Sequence, residues 1–158
     1  DRSSLMPFNN PLRSDPPTKP HPFAVLTYYI SEGIKLLRSV AARLPNAHEP
    51  QDFWRGMKDL TISDAFLTSG GTEFACMSTS LSQEIAIDFA LSKAPMILKL
   101  ETKDFMSRGA DISFLSVYPE EKESLYPPLT YLRPVRLYKE TIGGIEYQVV
   151  EVEPVFPK

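Results

Sequence analysis

The chain has 158 residues and a mass of 17.8 kDa, which favours one domain with a core of its own. With 17 Lys and Arg against 20 Asp and Glu, the net charge is −3, which argues against binding to nucleic acid or an anionic membrane. One cysteine excludes an internal disulfide, and with two histidines it argues against a structural zinc site or any other metal centre. The single cysteine also favours a cytoplasmic compartment, and a secreted effector or toxin is the open alternative.

Residues 1–22 are rich in proline and predict an extended arm. Six of the 15 prolines lie in this stretch. Proline lacks a backbone N–H and clashes with the preceding helical turn, so we expect no regular helix here. Residues 23–158 are expected to form a single folded domain.

The first predicted element of that domain is a long amphipathic helix over residues 23–43. Apolar residues recur there at intervals of three or four, and Pro45 ends the pattern. A short strand is predicted at 53–57 and another at 74–77, with a glycine-containing turn at 69–72 between them. A second helix follows, for which Ser80 and Gln83 form a capping-box pattern.

The remaining chain is strand-like. Short apolar runs lie at 96–100, 112–117, 125–132 and 145–152, and Gly143-Gly144 predicts a hairpin turn. Because helices come early and strands late, the order predicts an α+β fold with antiparallel sheet.

The sequence contains no glycine-rich dinucleotide fingerprint, phosphate-binding P-loop or GxSxG elbow. Three short motifs remain, and each has an ordinary explanation when taken alone: a surface arginine, a helix cap or a solvated acidic loop. They are Phe53-Trp54-Arg55-Gly56, Ser78-Thr79-Ser80 and Glu121-Lys122-Glu123.

Taken together, these motifs resemble the R-S-E class of mono-ADP-ribosyltransferases, which includes vertebrate ecto-enzymes and clostridial binary toxins. The family carries an arginine, an S-T-S and an E-x-E in this order, and 116–128 is similar to the ecto-enzymes' acidic loop. The resemblance implies N-terminal helices packed on two antiparallel β-sheets, a split sandwich with NAD in the cleft. Residues 23–158 would then be a single catalytic domain.

The implied reaction splits the nicotinamide–ribose bond of NAD and passes ADP-ribose to a protein side chain. Its transition state resembles an oxocarbenium ion, which a fixed carboxylate stabilises. The resemblance assigns that carboxylate to Glu123, with Ser78 holding Glu123 by a hydrogen bond. It also implies that Arg55 binds the NAD pyrophosphate and that Gly56 lets the backbone approach the nicotinamide amide. No metal is required.

The acceptor is implied by the first glutamate of the E-x-E motif. On extended backbone, Glu121 and Glu123 would face one side while Lys122 points away. In the family a glutamate at this position marks arginine as the acceptor, so the partners expected are NAD and a protein with an exposed arginine. The resemblance also implies that Tyr118 contacts the acceptor protein, and the alternative is an ordinary exposed loop tyrosine. It implies that Phe89 contacts nicotinamide, and the alternative is a phenylalanine in the helix core.

Two other functions fit the same motifs. One is an NAD glycohydrolase, in which water replaces the acceptor, and the other is a non-catalytic NAD-binding or interaction module. Unlike the ecto-enzymes, this chain can form no disulfide, and a basic residue that toxins carry after the aromatic position has no exact match. Lys93 and Arg108 are the candidates to replace it at the phosphates. The sequence does not predict an oligomeric state.

Overall fold

The computed structural model describes residues 6–16 and 19–157, which form four α-helices and eight β-strands. The helices are α1 (Met6–Arg13), α2 (Ala24–Ala41), α3 (Asp64–Ser69) and α4 (Gln83–Ala90). The strands are β1 (Gln51–Met57), β2 (Gly71–Glu73), β3 (Met77–Ser80), β4 (Met96–Thr102), β5 (Ala110–Asp111), β6 (Glu123–Tyr126), β7 (Thr130–Ile142) and β8 (Ile145–Val155). No helix in the described ranges has the length and apolar content needed to cross a bilayer.

The eight strands lie in the order β2-β7-β8-β4-β1-β3-β6-β5, and this sheet is almost divided in its middle. In the described part of the chain, the backbones of β1 and β3 pair only at Trp54 and Ser80, whereas β1 pairs with β4 along its whole length. The α+β class is confirmed. The two expected sheets correspond to the two halves of one sheet. One half runs from β2 to β1 and has five strands, the other runs from β3 to β5 and has three, and the halves meet at this backbone pair.

One strand pair departs from the predicted antiparallel arrangement. β4 and β8 run parallel, with Ile97 opposite Val149 and Leu100 opposite Val152. These residues are fully buried, and near-continuous apolar strands of this kind are typical of buried parallel pairs. The prediction of a purely antiparallel sheet is therefore wrong at this pair.

Among the residues that the structure describes, three buried apolar clusters hold the fold together. The largest lies on β1, β3, β4, β6, β7 and β8, around Phe53, Met77, Leu100 and Tyr126. A second packs α4 against β4 and β8, through Ala86, Ala90, Ile97 and Val149. A third packs α1 and α2 beside β5 and contains Phe8, Ile34, Cys76 and Ala110.

The prediction of an extended arm is wrong for Met6–Arg13, which form α1 although Pro11 lies inside the helix. Phe8 of this helix is buried against α2 in the third cluster, and this packing offsets the poor helix propensity of proline. The part of the prediction that concerns residues 1–5, 17 and 18 lies outside the described residues.

Three predicted strands also differ from the structure. The strand predicted at 74–77 lies in the connection between β2 and β3, where Met77 alone belongs to a strand and the Glu73 carboxylate accepts a hydrogen bond from the Ala75 amide. The turn predicted at 69–72 overlaps with the start of β2.

The run at 112–117 is not a strand, because the Asp111 side chain accepts a hydrogen bond from the Ser113 amide and starts a turn. The run at 125–132 is divided between β6 and β7, with Pro127 and Pro128 in the connection. The helix predicted at 23–43 is confirmed as α2. The predicted hairpin turn is also confirmed, and both of its residues, Gly143 and Gly144, have positive φ.

Candidate active site

The S-T-S motif lies on β3, directly beside the strand that carries the E-x-E motif. β3 pairs antiparallel with β6, so that Ser78 faces Leu125 and Ser80 faces Glu123. In this register Ser78 and Glu123 are diagonal neighbours on one face of the pair. The Ser78 hydroxyl donates a hydrogen bond to Glu123 Oε1 at 2.5 Å, which is the contact expected from the resemblance.

The other two hydroxyls of β3 hold the backbone of the same segment. Thr79 Oγ1 donates to the Ser124 carbonyl at 2.9 Å, and Ser80 Oγ donates to the Glu121 carbonyl at 2.5 Å. The predicted capping box at Ser80 is wrong, because its hydroxyl is used in this way and α4 begins after Ser82. The three hydroxyls therefore position three different residues of the segment 121–124, which contains the E-x-E motif.

The arginine of the first motif reaches the same place from β1. Arg55 Nη1 donates to the Ser78 carbonyl at 2.7 Å, and the side chain is half-buried. Burial lowers the pKa of the guanidinium, while the carboxylates of Glu73 and Glu123 act in the opposite direction. The structure thus brings together Arg55, Ser78 and Glu123.

A second guanidinium near this place was not predicted from the sequence. Arg13, the last residue of α1, donates from Nε and Nη2 to the two carboxylate oxygens of Glu73, each at 2.9 Å. Its charge lowers the pKa of Arg55 further. The proline-rich composition concealed this contact, because it predicts an extended arm where α1 forms.

Gly56 has a packing role that the sequence did not show. A Cβ at this position would lie 2.0 Å from the Ala86 carbonyl oxygen and 2.8 Å from Phe89 Cβ. Glycine therefore allows α4 to lie directly on β1. Phe89 is half-buried beside this contact and is absent from the buried clusters of the described residues. The contacts of both residues with the nicotinamide part of NAD stay predictions.

The geometric reasoning for Glu121 is wrong. Pro119–Glu121 form a turn of 3-10 helix, and Lys122 is left-handed with φ 46° and ψ 53°, so the backbone before Glu123 is not extended. Glu121 is instead placed through its own carbonyl, which Ser80 holds at the end of β3. Tyr118 is exposed at the start of the same turn. The acceptor roles of Glu121 and Tyr118 stay predictions.

The suggested phosphate contact of Arg108 is wrong. Its buried guanidinium donates to the carbonyls of Asn46 and Glu49 and so holds the loop between α2 and β1. Lys93 is exposed after α4. In the described part of the chain, no group of three or more His, Cys, Asp or Glu residues is arranged to hold a metal ion.

Comparisons with known proteins identify the fold. The chain is 20% identical to ADP-ribosyltransferase HopU1 of Pseudomonas syringae pv. tomato, with 93% of this chain and 63% of that chain covered and a TM-score of 0.67. Exoenzyme S from Pseudomonas aeruginosa, in complex with human 14-3-3 protein beta and bound to carba-NAD, is 20% identical, with 94% and 66% covered and a TM-score of 0.59. The Vibrio splendidus toxin Vis, in complex with agmatine, is 20% identical, with 98% and 69% covered and a TM-score of 0.58.

These structures show a shared fold, and the chain spans less than two thirds of the length of HopU1. No curated protein sequence matches the chain significantly. The model of one family, described as NAD:arginine ADP-ribosyltransferase, matches residues 5–148. NAD is the substrate of that family. Because the match includes most of the chain and all three motifs, the chain belongs to the NAD:arginine ADP-ribosyltransferase family.

Proposed function

We propose that the protein transfers ADP-ribose from NAD to arginine side chains of a protein acceptor and releases nicotinamide. The observation that carries this proposal is the connection of the three motifs through one residue. Ser78 donates to the Glu123 carboxylate from its hydroxyl and accepts from Arg55 at its carbonyl. Ser78 thus links the carboxylate proposed to face the ribosyl cation with the guanidinium proposed to bind phosphate.

Glu123 is proposed as the carboxylate at the reacting ribose. As the bond to nicotinamide breaks, positive charge develops at the anomeric carbon, and a negative group already in place stabilises it without reorganisation. The hydrogen bond from Ser78 to Oε1 restricts the rotation of the Glu123 side chain and holds the carboxylate in one orientation.

Arg55 is proposed to bind the pyrophosphate of NAD. Its guanidinium uses Nη1 for the Ser78 carbonyl, which leaves further N–H donors for phosphate oxygens. Because burial disfavours the isolated cation, an anionic ligand at this position gains from a partly desolvated partner. Gly56 on β1 lies directly beside Phe89 on α4. The Gly56 backbone and the Phe89 ring are proposed to contact nicotinamide.

Glu121 is proposed to orient the acceptor guanidinium and to accept its proton as the new C–N bond forms. A carboxylate matches the planar guanidinium in shape and charge. Tyr118 lies at the exposed start of the same turn and is proposed to contact the acceptor protein. The similar toxin Vis binds agmatine, a small molecule that carries a guanidinium, and this supports an arginine-like acceptor here.

The test is incubation with labelled NAD, with and without agmatine, and separate measurement of nicotinamide, free ADP-ribose and ADP-ribosylated agmatine. The proposal predicts transfer to agmatine and its loss in Glu121→Gln, while nicotinamide release persists. Glu120→Gln is the matched control, because it removes an exposed carboxylate from the same turn.

Three results would contradict parts of the proposal. Free ADP-ribose as the sole product would show a glycohydrolase. NAD binding without nicotinamide release would show a non-catalytic module. Equal transfer by Glu121→Gln and the parent would show that the acceptor assignment is wrong.

A further inference from the structure

The ion pair between Arg13 and Glu73 lies close to Arg55, although neither residue belongs to the three motifs. Arg13 donates from Nε and Nη2 to the two carboxylate oxygens of Glu73, each at 2.9 Å. The oxygen that accepts from Nε also accepts from the Ala75 amide at 2.9 Å. The Glu73 side chain is 16% exposed. This carboxylate is therefore held by three donors and is largely shielded from solvent.

Glu73 is also the carboxylate that acts most strongly on the charge of Arg55. Burial lowers the pKa of the Arg55 guanidinium, and among the charges that oppose this effect Glu73 acts more strongly than Glu123. The positive charge of Arg13 acts in the same direction as burial and so offsets that of Glu73. The side chain of Arg55 itself donates to the Ser78 carbonyl. The strongest electrostatic partner of Arg55 is thus occupied by a different guanidinium.

An uncovered Glu73 would compete with NAD for Arg55. A carboxylate and a phosphate match the same fork of N–H donors on a guanidinium, and each can bind it through two parallel hydrogen bonds. A carboxylate of the protein is always beside the arginine, whereas NAD binds from solution and would have to displace it. Arg13 prevents this competition because it uses both oxygens of Glu73.

The charge balance of these residues supports the same role. With Arg13 present, two guanidiniums balance two carboxylates, those of Glu73 and Glu123. Without Arg13, Arg55 alone would face both carboxylates, and this part of the site would carry a net negative charge. A net negative charge repels the pyrophosphate of NAD. Arg13 is therefore expected to favour NAD binding even without touching the ligand.

We propose that Arg13 is a positioning residue for NAD binding, which holds Glu73 away from Arg55 and so leaves the Arg55 guanidinium to the pyrophosphate. This inference rests on the proposed function, because it assumes that Arg55 binds NAD. It also gives α1 a role in the site. Arg13 is the last residue of this helix, and the burial of Phe8 in the third cluster fixes the helix in place.

The test measures binding of carba-NAD to the whole chain by calorimetry. In this analogue a carbocycle replaces the nicotinamide ribose, so that the ligand is not cleaved during the titration. We expect Arg13→Gln to raise the dissociation constant about tenfold, because Glu73 is then free to bind Arg55. Adding Glu73→Gln removes the competing carboxylate and restores the charge balance, so the double variant should bind within about twofold of the parent.

Arg133→Gln is the matched control for the loss of an arginine from an ion pair. Arg133 contacts Glu153 at 3.2 Å and lies on β7, which β8 and β4 separate from β1. We expect this variant to bind carba-NAD as the parent does.

Nicotinamide release gives a second measurement. Because Arg13 acts on NAD binding, Arg13→Gln should raise the KM for NAD about tenfold and leave kcat within about twofold of the parent. A thermal melt of each variant shows whether α1 has come loose. Loosening of α1 would not be reversed by Glu73→Gln, so recovery of binding in the double variant separates the positioning role from a structural one.

Three results would overturn the inference. Equal binding by Arg13→Gln and the parent would show that Glu73 does not compete with NAD. A double variant as weak as Arg13→Gln would show that Arg13 contacts NAD itself or only holds α1 in place. If Arg55→Gln binds carba-NAD as tightly as the parent, the proposed role of Arg55 fails and this inference fails with it. Loss of binding in Arg55→Gln without an effect of Arg13→Gln would refute this inference alone.

Discussion

The substitution Ser78→Ala should slow NAD cleavage while leaving Arg55 in place. It removes the 2.5 Å hydrogen bond to Glu123 but keeps the Ser78 carbonyl, which is the group that accepts from Arg55. A hydrogen bond to a charged group contributes about 1.5–3 kcal/mol, and about 1.4 kcal/mol corresponds to a tenfold change in rate. If the bond orients Glu123 in the transition state, nicotinamide release should fall about 10- to 150-fold.

The assay is nicotinamide release at saturating NAD, together with NAD binding by calorimetry and a thermal melt. Thr79→Val is the matched control, because it removes a 2.9 Å hydrogen bond between the same two strands without contact to the Glu123 carboxylate. We expect Thr79→Val to lower the melting temperature and leave the cleavage rate of the folded protein intact. An unchanged rate in Ser78→Ala, or an equal loss in Thr79→Val, would refute the reasoning.

Two further predictions concern stability. Hydrogen bonds from Arg136 lower the pKa of the buried Glu151 carboxyl to about 2, with Lys99 as a second donor. Because the folded-state pKa lies below the ordinary 4.5, this stabilisation is complete above pH 4.5 and is lost as the pH falls towards 2. It amounts to at most about 3 kcal/mol, and urea unfolding between pH 7 and 3 should show a steeper acid loss in the parent than in Glu151→Gln; parallel curves would contradict this. Gly56→Ala should destabilise the protein by about 1–3 kcal/mol, because the methyl group would overlap the Ala86 carbonyl; an unchanged melting temperature would show that α4 can move away from β1.

The convergence of the site could be predicted from the sequence, because the three motifs together resemble one family. The antiparallel pairing of β3 with β6 brings Ser78 to Glu123 although 45 residues separate them. The same pairing explains why the three consecutive hydroxyl residues stand on β3, since each one holds a different part of the facing segment.

The features that could not be predicted depend on contacts between distant residues. α1 forms because Phe8 is buried against α2, and its Arg13 contacts Glu73 across 60 residues of chain. The composition of residues 1–22 indicates a proline-rich stretch and does not indicate these contacts. The parallel pairing of β4 with β8 likewise depends on burial of both strands, which their apolar runs indicate without giving a direction.

The backbone before Glu123 is a local feature that the sequence also did not reveal. The left-handed conformation of Lys122 is uncommon for a residue with a side chain. The prediction that Glu121 and Glu123 face the same side assumes extended backbone. The 3-10 turn and the left-handed Lys122 make this assumption wrong.

The most direct test of the central claim is nicotinamide release by Glu123→Gln compared with the parent, with NAD binding measured on the same samples. The substitution keeps the shape of the side chain and removes the charge that faces the developing cation. The account predicts that the parent releases nicotinamide and that Glu123→Gln binds NAD but cleaves it at least about 100-fold more slowly. Equal release by the two proteins, or none from the parent, would contradict it.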